Sequence, residues 1–232
     1  MGKNIISQAR GHGGPRYRAK KSAFQYRIGY PMQDGSAKIM DLIHSAAHSA
    51  PLIKVSINKE TFYNPAFNGA YIGQEISIGK NIQQGSIITL KQIPVTTKVY
   101  NIERNPGDGG KMIRTAGSSA LVFKKYPHNK ISVLMPNKKE VLLSGDCRVT
   151  IGEIAGAGRK LKPFITAGRK FYKMRAKGGK LWPRTSAVKM NAVDHPFGSG
   201  RGKRIKPKIA KRNAPAGNRV GHIRPRRTGR RK

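Results

Sequence analysis

Regular alternation of apolar and polar residues begins at Leu52. Leu52-Ile53-Lys54-Val55-Ser56-Ile57 places Ile53, Val55 and Ile57 on one face of an extended segment, the two-residue period of a strand. Ala70-Tyr71-Ile72, Glu75-Ile76-Ser77-Ile78 and Ser86-Ile87-Ile88-Thr89-Leu90 read as further short strands, with Asn68-Gly69 as a tight-turn signal and Gly79 and Gly85 as punctuation. After a junction at Ile93-Pro94-Val95 the pattern resumes at 98–102, 120–123, 131–135, 140–143 and 147–151. Pro136-Asn137-Lys138 joins two of these as a turn. Short strands broken by turn residues predict small barrels. The expected architecture is mostly β, with one barrel over 38–92 and a second over 93–155. Beyond Ile154 the strand signal stops, and Phe164, Ala167, Phe171 and Met174 recur at helical spacing, which predicts a short helix near 164–175 packing its apolar stripe on the barrels.

The flanks have no sustained period. Residues 1–37 are rich in Gly, Pro and cations and read as an extended basic arm; residues 156–232 read as a basic extension, expected to be disordered from Lys177 onward until bound. In the arm, Tyr17, Phe24, Tyr26 and Tyr30 alternate with Arg16, Arg18, Lys20, Lys21 and Arg27. Rings interleaved with cations suit RNA, where phosphate meets the charge and bases stack on the rings; packing of the rings on the globular body is the competing expectation. Arg10 and His12 extend the same basic character.

Charge separates these regions more sharply than hydropathy does. The 232 residues carry a formal net charge of +37. Residues 156–232 hold 25 Lys or Arg and one acid, Asp194, whereas residues 38–155 hold 15 cations and 8 acids. Such a one-sign field opposes compaction and demands a polyanion. Nucleic acid is the dense one, because each bound phosphate releases counterions. A polybasic membrane anchor would bring an amphipathic helix or a lipid site, and the sequence has no strong example. There is no run of 18 apolar residues and no apolar signal-peptide core. Gly11-His12-Gly13-Gly14-Pro15 breaks the helix that an Arg-rich transit peptide would need. The single cysteine, Cys147, excludes an internal disulfide and fits a reducing compartment.

Catalytic chemistry finds little support. The Gly-rich stretch Pro106-Gly107-Asp108-Gly109-Gly110-Lys111 lacks the spacing of a nucleotide-binding loop; Gly202-Lys203 comes nearer, but Phe197 stands where the first Gly belongs and Arg204 replaces the hydroxyl. His44 and His48 lie four apart without a third ligand or a base between them. Cys147 reads as a small buried thiol. His195, between Asp194 and Pro196, is the one candidate general base. Side chains of adjacent residues diverge, however. The expectation is that Asp194 bonds amides of its own turn and organises a loop carrying His195 to RNA, with Gly198, Gly200 and Gly202 allowing close backbone approach. No cofactor or protein-held metal is expected, only Mg or monovalent ions bound through RNA.

The stretch Met190-Asn191-Ala192-Val193-Asp194-His195-Pro196-Phe197-Gly198-Ser199-Gly200 resembles the signature of the universal large-subunit ribosomal proteins of the L-two family. So do Ile93-Pro94-Val95 with Val99-Tyr100-Asn101-Ile102-Glu103, the Gly-rich loop with Arg114-Thr115-Ala116-Gly117, and Cys147-Arg148-Val149-Thr150-Ile151-Gly152-Glu153. Met1-Gly2-Lys3 and Gln8-Ala9-Arg10-Gly11 are similar to the archaeal and eukaryotic-type start. Phe197 stands where bacterial members have a second histidine, and Ser199 departs from a Gly-Gly-Gly run. The resemblance implies an oligonucleotide-binding-fold barrel followed by an SH3-like barrel, with basic tails in ribosomal RNA. It further implies cytoplasmic ribosomes, neighbouring ribosomal proteins, an intersubunit contact with the small subunit, and roles in assembling the peptidyl-transferase region and in tRNA placement.

The residues expected at RNA are therefore Asn191, Asp194, His195, Pro196, Gly198 and Gly200 of the motif, and Arg10, His12, Arg16, Tyr17, Arg18, Lys20, Lys21 and Arg27 of the arm. To these the reading adds Lys111 and Arg114 beside the Gly-rich loop, and Arg159, Lys160, Arg169, Lys170, Lys173 and Arg175 around the helix. Along the tail it adds Lys180, Trp182, Arg184, Lys189, Arg201, Lys203, Arg204, Lys206 and Arg224. An RNA-acting enzyme using His195 and a DNA-compacting protein are the alternatives.

Overall fold

A computed structural model describes residues 3–205, 209–210, 213–215 and 217–223. The chain divides into two units, Lys21–Thr166 and a second made of Met1–Lys20 with Ala167–Lys232.

The first unit is a ten-stranded sheet. Its strands are β1 (Gly35–Ile43), β2 (Leu52–Ile57), β3 (Glu60–Pro65), β4 (Glu75–Ile78), β5 (Ile87–Thr89), β6 (Lys98–Tyr100), β7 (Ala120–Tyr126), β8 (Lys130–Leu134), β9 (Glu140–Ser144) and β10 (Arg148–Ile151). Their hydrogen-bonded order is β3-β2-β1-β4-β5-β10-β6-β7-β8-β9. The expected mostly-β class holds. The expected pair of separate barrels takes a different form: the hydrogen-bonded order is open, and β10 joins the two halves by pairing with both β5 and β6.

Alternation at these shared strands explains how one sheet serves two cores. Successive side chains of a strand point to opposite faces. On β5, Ile87 enters one apolar cluster with Ile39, Ile53, Val55, Phe67 and Ile78, while Ile88 enters another with Leu90, Val99, Val122, Val133 and Val149. On β6, Val99 and Tyr100 divide in the same way.

Some sequence expectations are corrected here. Ala70-Tyr71-Ile72 is a turn and not a strand; Tyr71 and Ile72 are exposed. Asn68-Gly69 does turn the chain, with the Ala70 amide bonded to the Phe67 carbonyl at 3.2 Å. Two strands carried no clear signal. β1 loses its alternation at a bulge between Ile39 and Asp41, which throws the period out of step. β3 (Glu60–Pro65) has polar residues at its start and a proline at its end, and its hairpin turn is Asn58-Lys59, both at positive φ without the glycine that usually marks such a turn.

The arm is not uniformly extended. α1 (Ile6–Gly11) is a short helix and Lys21–Phe24 a 3-10 turn. Residues 28–30 join the sheet unit, where Gly29 donates to the Tyr63 carbonyl and Ile28 bridges Tyr63. Tyr30 is buried and Tyr26 packs on Tyr63 at 5.1 Å between centroids. Those two rings go to the body, while Phe24 remains exposed.

In the second unit, α2 (Ala167–Lys177) forms near its expected place. None of its residues is buried. Among the described residues of this unit the buried apolar side chains are Ile5, Phe197 and Ala210. No described helix is long and apolar enough to cross a membrane.

Candidate nucleic-acid interface

The tail motif is a compact knot of turns held by its own backbone. The amides of Asp194 and His195 donate to the Asn191 carbonyl at 3.0 and 3.2 Å, and Gly198 donates to the His195 carbonyl at 2.9 Å. Ser199 closes the knot: its amide donates to the Met190 carbonyl at 3.2 Å, and its hydroxyl accepts from the Ala192 amide at 3.3 Å. Ser199 itself adopts φ 55, a left-handed conformation that costs a non-glycine residue energy. Two hydrogen bonds offset that cost.

Phe197, buried within the motif, makes a tilted ring contact with His195 at 5.2 Å between centroids. Gly198 is buried against the Asn191 peptide, and a β-carbon there would run into the Asn191 carbonyl and the Ala192 nitrogen. Gly198→Ala must therefore open the knot. The expected result is loss of amide-exchange protection across 191–199 without loss of β-sheet circular dichroism, because the sheet is built from other residues.

Asp194 does not organise the turn as expected. Its carboxylate accepts from Lys3 Nζ at 3.2 Å, an exposed ion pair, and such pairs contribute only about 0–1 kcal/mol. The sequence reading missed Lys3, which lies 191 positions away. Nor do Asp194 and His195 form a dyad. The His195 Nδ1 accepts from the Phe197 amide at 3.1 Å, and burial lowers the imidazole pKa below its ordinary value. His195 is thus a neutral ring at physiological pH, with one nitrogen occupied by its own turn and Nε2 left as the donor.

The expected cations are overwhelmingly at the surface. Arg10, Arg16, Lys20, Lys21, Arg27, Lys111, Arg159, Lys160, Arg169, Lys170, Lys173 and Arg175 are exposed, as are His12, Lys180, Arg184, Lys189, Arg201, Lys203 and Arg204. Arg18 is exposed too and donates to the Gly13 carbonyl. Tyr17 and Trp182 are half-buried. Lys206 and Arg224 lie outside the described residues. The ion pairs between described residues use Lys3, Lys91, Lys98 and Arg148, so most of these cations, Lys173 aside, meet no carboxylate among the described residues.

Arg114 is the exception. Its guanidinium donates to Asn101 Oδ1 at 2.9 Å and to the Ile28 carbonyl, and partial burial lowers its pKa. It belongs to a buried polar network in which Tyr30 donates to the Asn101 carbonyl at 2.6 Å and meets Thr150. Asn64 bonds both Asn101 and Thr150. Burial raises the Tyr30 hydroxyl pKa far above physiological pH, so it stays a donor. Arg114 therefore holds the body together rather than reaching outward.

The Gly-rich loop is shaped from within. Glu103, fully buried, accepts from the amides of Gly107, Gly109 and Arg148 and forms a two-nitrogen contact with the Arg148 guanidinium. Asp108 accepts from the amides of Arg104, Asn105 and Gly110. Amides that a phosphate-binding loop would offer to its ligand are thus bonded to carboxylates. Glu103 and Arg148 were overlooked as a pair because 45 positions separate them. The available signal was an acid standing beside a Gly-rich loop in a strongly basic chain.

Cys147 is buried, and burial pushes its thiol up to about 11, which leaves no thiolate for nucleophilic chemistry. His48 bonds Ser45 at 2.8 Å, and no group of His, Cys, Asp and Glu among the described residues is placed to hold a metal ion.

Comparison with known proteins gives these features a context. The family model described as "Ribosomal Proteins L2, C-terminal domain" matches residues 83–217. The chain is 44% identical to the large ribosomal subunit protein uL2 of Archaeoglobus fulgidus, over 99% of both chains. It is 42% identical to that of Sulfolobus acidocaldarius, over 100% of this chain and 99% of the relative, and 42% identical to that of Methanococcus maripaludis over the full length of both. Similarity of this extent over nearly the whole length of each chain shows that the chain belongs to the ribosomal protein L2 (uL2) family in its archaeal form.

Proposed function

We propose that this structural ribosomal protein binds large-subunit ribosomal RNA through its second unit and supports assembly of the peptidyl-transferase region, subunit association and tRNA placement in cytoplasmic ribosomes. The observation that carries the reading is the excess of exposed, uncompensated cations in a unit with almost no apolar core. Self-repulsion opposes the fold of such a unit, and RNA phosphate relieves it. The motif residues Asn191, Asp194, His195, Pro196, Gly198 and Gly200 form a pre-shaped surface in which Gly198 permits the turn and His195 presents Nε2–H. Large-subunit RNA, neighbouring ribosomal proteins and the small subunit are the partners, with Mg or monovalent ions entering through the RNA.

The test is competition. The full chain is bound to its large-subunit RNA fragment and challenged with equal masses of duplex DNA. Retention on the RNA supports the reading; equal displacement points to a DNA-compacting protein.

His195 gives a second, separable test. With Nδ1 held by Phe197 and no carboxylate orienting the ring, it has the setting of a positioning group. In reconstituted subunits His195→Ala should assemble and form peptide bonds at a rate within about threefold of wild type. Loss of 10²-fold or more, the scale of a general base, in a fully assembled particle would establish catalysis instead.

A further inference from the structure

A cleft of about 700 Å³ lies within the unit formed by Met1–Lys20 and Ala167–Lys232. Three stretches build its walls: residues 15–20 of the arm, helix α2, and residues 178–183. The first and third are stitched together by an antiparallel bridge between Ala19 and Gly178 and by the Gly179 amide donating to the Arg18 carbonyl at 3.0 Å. Gly178 has φ +69, and a β-carbon there would come within 3.0 Å of the Lys20 backbone. Glycine is therefore required for the walls to meet.

The lining has two characters. Phe171, Met174 and Trp182 supply an aromatic and apolar floor; Arg16, Arg18 and Lys180 supply positive charge; no carboxylate takes part. Lys170 Nζ lies 5.1 Å from the centroid of the Trp182 ring, so the indole that lines the cleft also carries a cation on one face. A double helix would use the cations and leave the indole idle, because its bases are stacked inside. An anion without a ring would do the same. A cavity of this size suits a heterocycle, and an unpaired nucleotide matches both characters at once, with its base face for Trp182 and its phosphates for the cations.

We propose that this cleft receives an unstacked RNA base against Trp182, its flanking phosphates on Arg16, Arg18 and Lys180. The proposal rests on the RNA-binding reading above and adds that contact here is with single-stranded, bulged or looped RNA.

Trp182 is the only tryptophan of the chain, so intrinsic fluorescence reports directly on this site. The full chain is titrated with an unpaired oligoadenylate RNA, a blunt RNA duplex of equal length and inorganic polyphosphate, with binding of each followed independently by fluorescence anisotropy or competition. The expected result is tryptophan quenching by the unpaired RNA alone. Trp182→Leu should weaken binding of that RNA roughly 5- to 150-fold, the equivalent of one lost stack. Trp182→Phe should restore most of it, and duplex affinity should stay unchanged in both variants. Equal quenching by duplex or polyphosphate, or unaltered affinity in Trp182→Leu, overturns the proposal while leaving RNA binding intact. Failure of the chain to bind either RNA while it holds polyphosphate overturns the underlying reading as well.

Discussion

Replacing Glu103 by Ala is expected to destabilise the sheet unit by about 3–5 kcal/mol, the cost of stranding one member of a buried ion pair. Glu103 is fully buried and its partner Arg148 nearly so. Three backbone amides, those of Gly107, Gly109 and Arg148, also lose their acceptor, and buried donors left without partners add to the cost. Arg148 would keep its bond to the Pro31 carbonyl, 2.6 Å away, and its position 5.4 Å over the Tyr30 ring, so the guanidinium cannot simply swing out to solvent. Urea denaturation of the RNA-free chain measures the effect. The double variant Glu103→Leu with Arg148→Met should be more stable than Glu103→Ala alone, because removing both charges costs less than orphaning one. A Glu103→Ala loss below about 1 kcal/mol would show that the network does not hold the Gly-rich loop to the sheet.

Binding to large-subunit RNA should fall by about 10³- to 10⁵-fold between roughly 50 and 200 mM salt, if 6–10 phosphates are neutralised. The exposed cations of the arm, α2 and the tail are numerous enough to supply that many contacts, and few of them have a carboxylate in competition. Arg114→Ala should leave the slope of affinity against salt unchanged, because its guanidinium is bonded within the body. Arg201→Ala or Lys203→Ala should each shallow the slope by about one phosphate's worth. Salt-insensitive binding would refute a phosphate-led interface.

Elements whose pattern was local were legible. β2, β8 and the turn at Pro136-Asn137-Lys138 could be read because alternation and turn chemistry act over a few residues; the Lys138 amide indeed closes that turn on Met135 at 2.9 Å. α2 was placed within a few residues by its apolar spacing. What it packs against was not legible, since a stripe of Phe171 and Met174 names no partner. The arm's rings were undecidable one by one: Tyr30 is buried beside Asn101 and Thr150, 71 and 120 positions distant, whereas Phe24 is exposed. Composition treats the two alike.

From the sequence alone came the mostly-β class, the concentration of net charge in residues 156–232, the expectation of a polyanion partner and the family. Each of these depends on composition, short periods or ordered motifs, which survive without coordinates. Tertiary structure alone decided that β10 fuses two cores into one open sheet, that Arg114 faces inward, and that Lys3 and not its own turn meets Asp194. It also decided that Glu103 holds the Gly-rich loop. Each of these depends on which distant side chain arrives within about 3 Å, the range over which hydrogen bonds and buried charges act, and no local pattern encodes that.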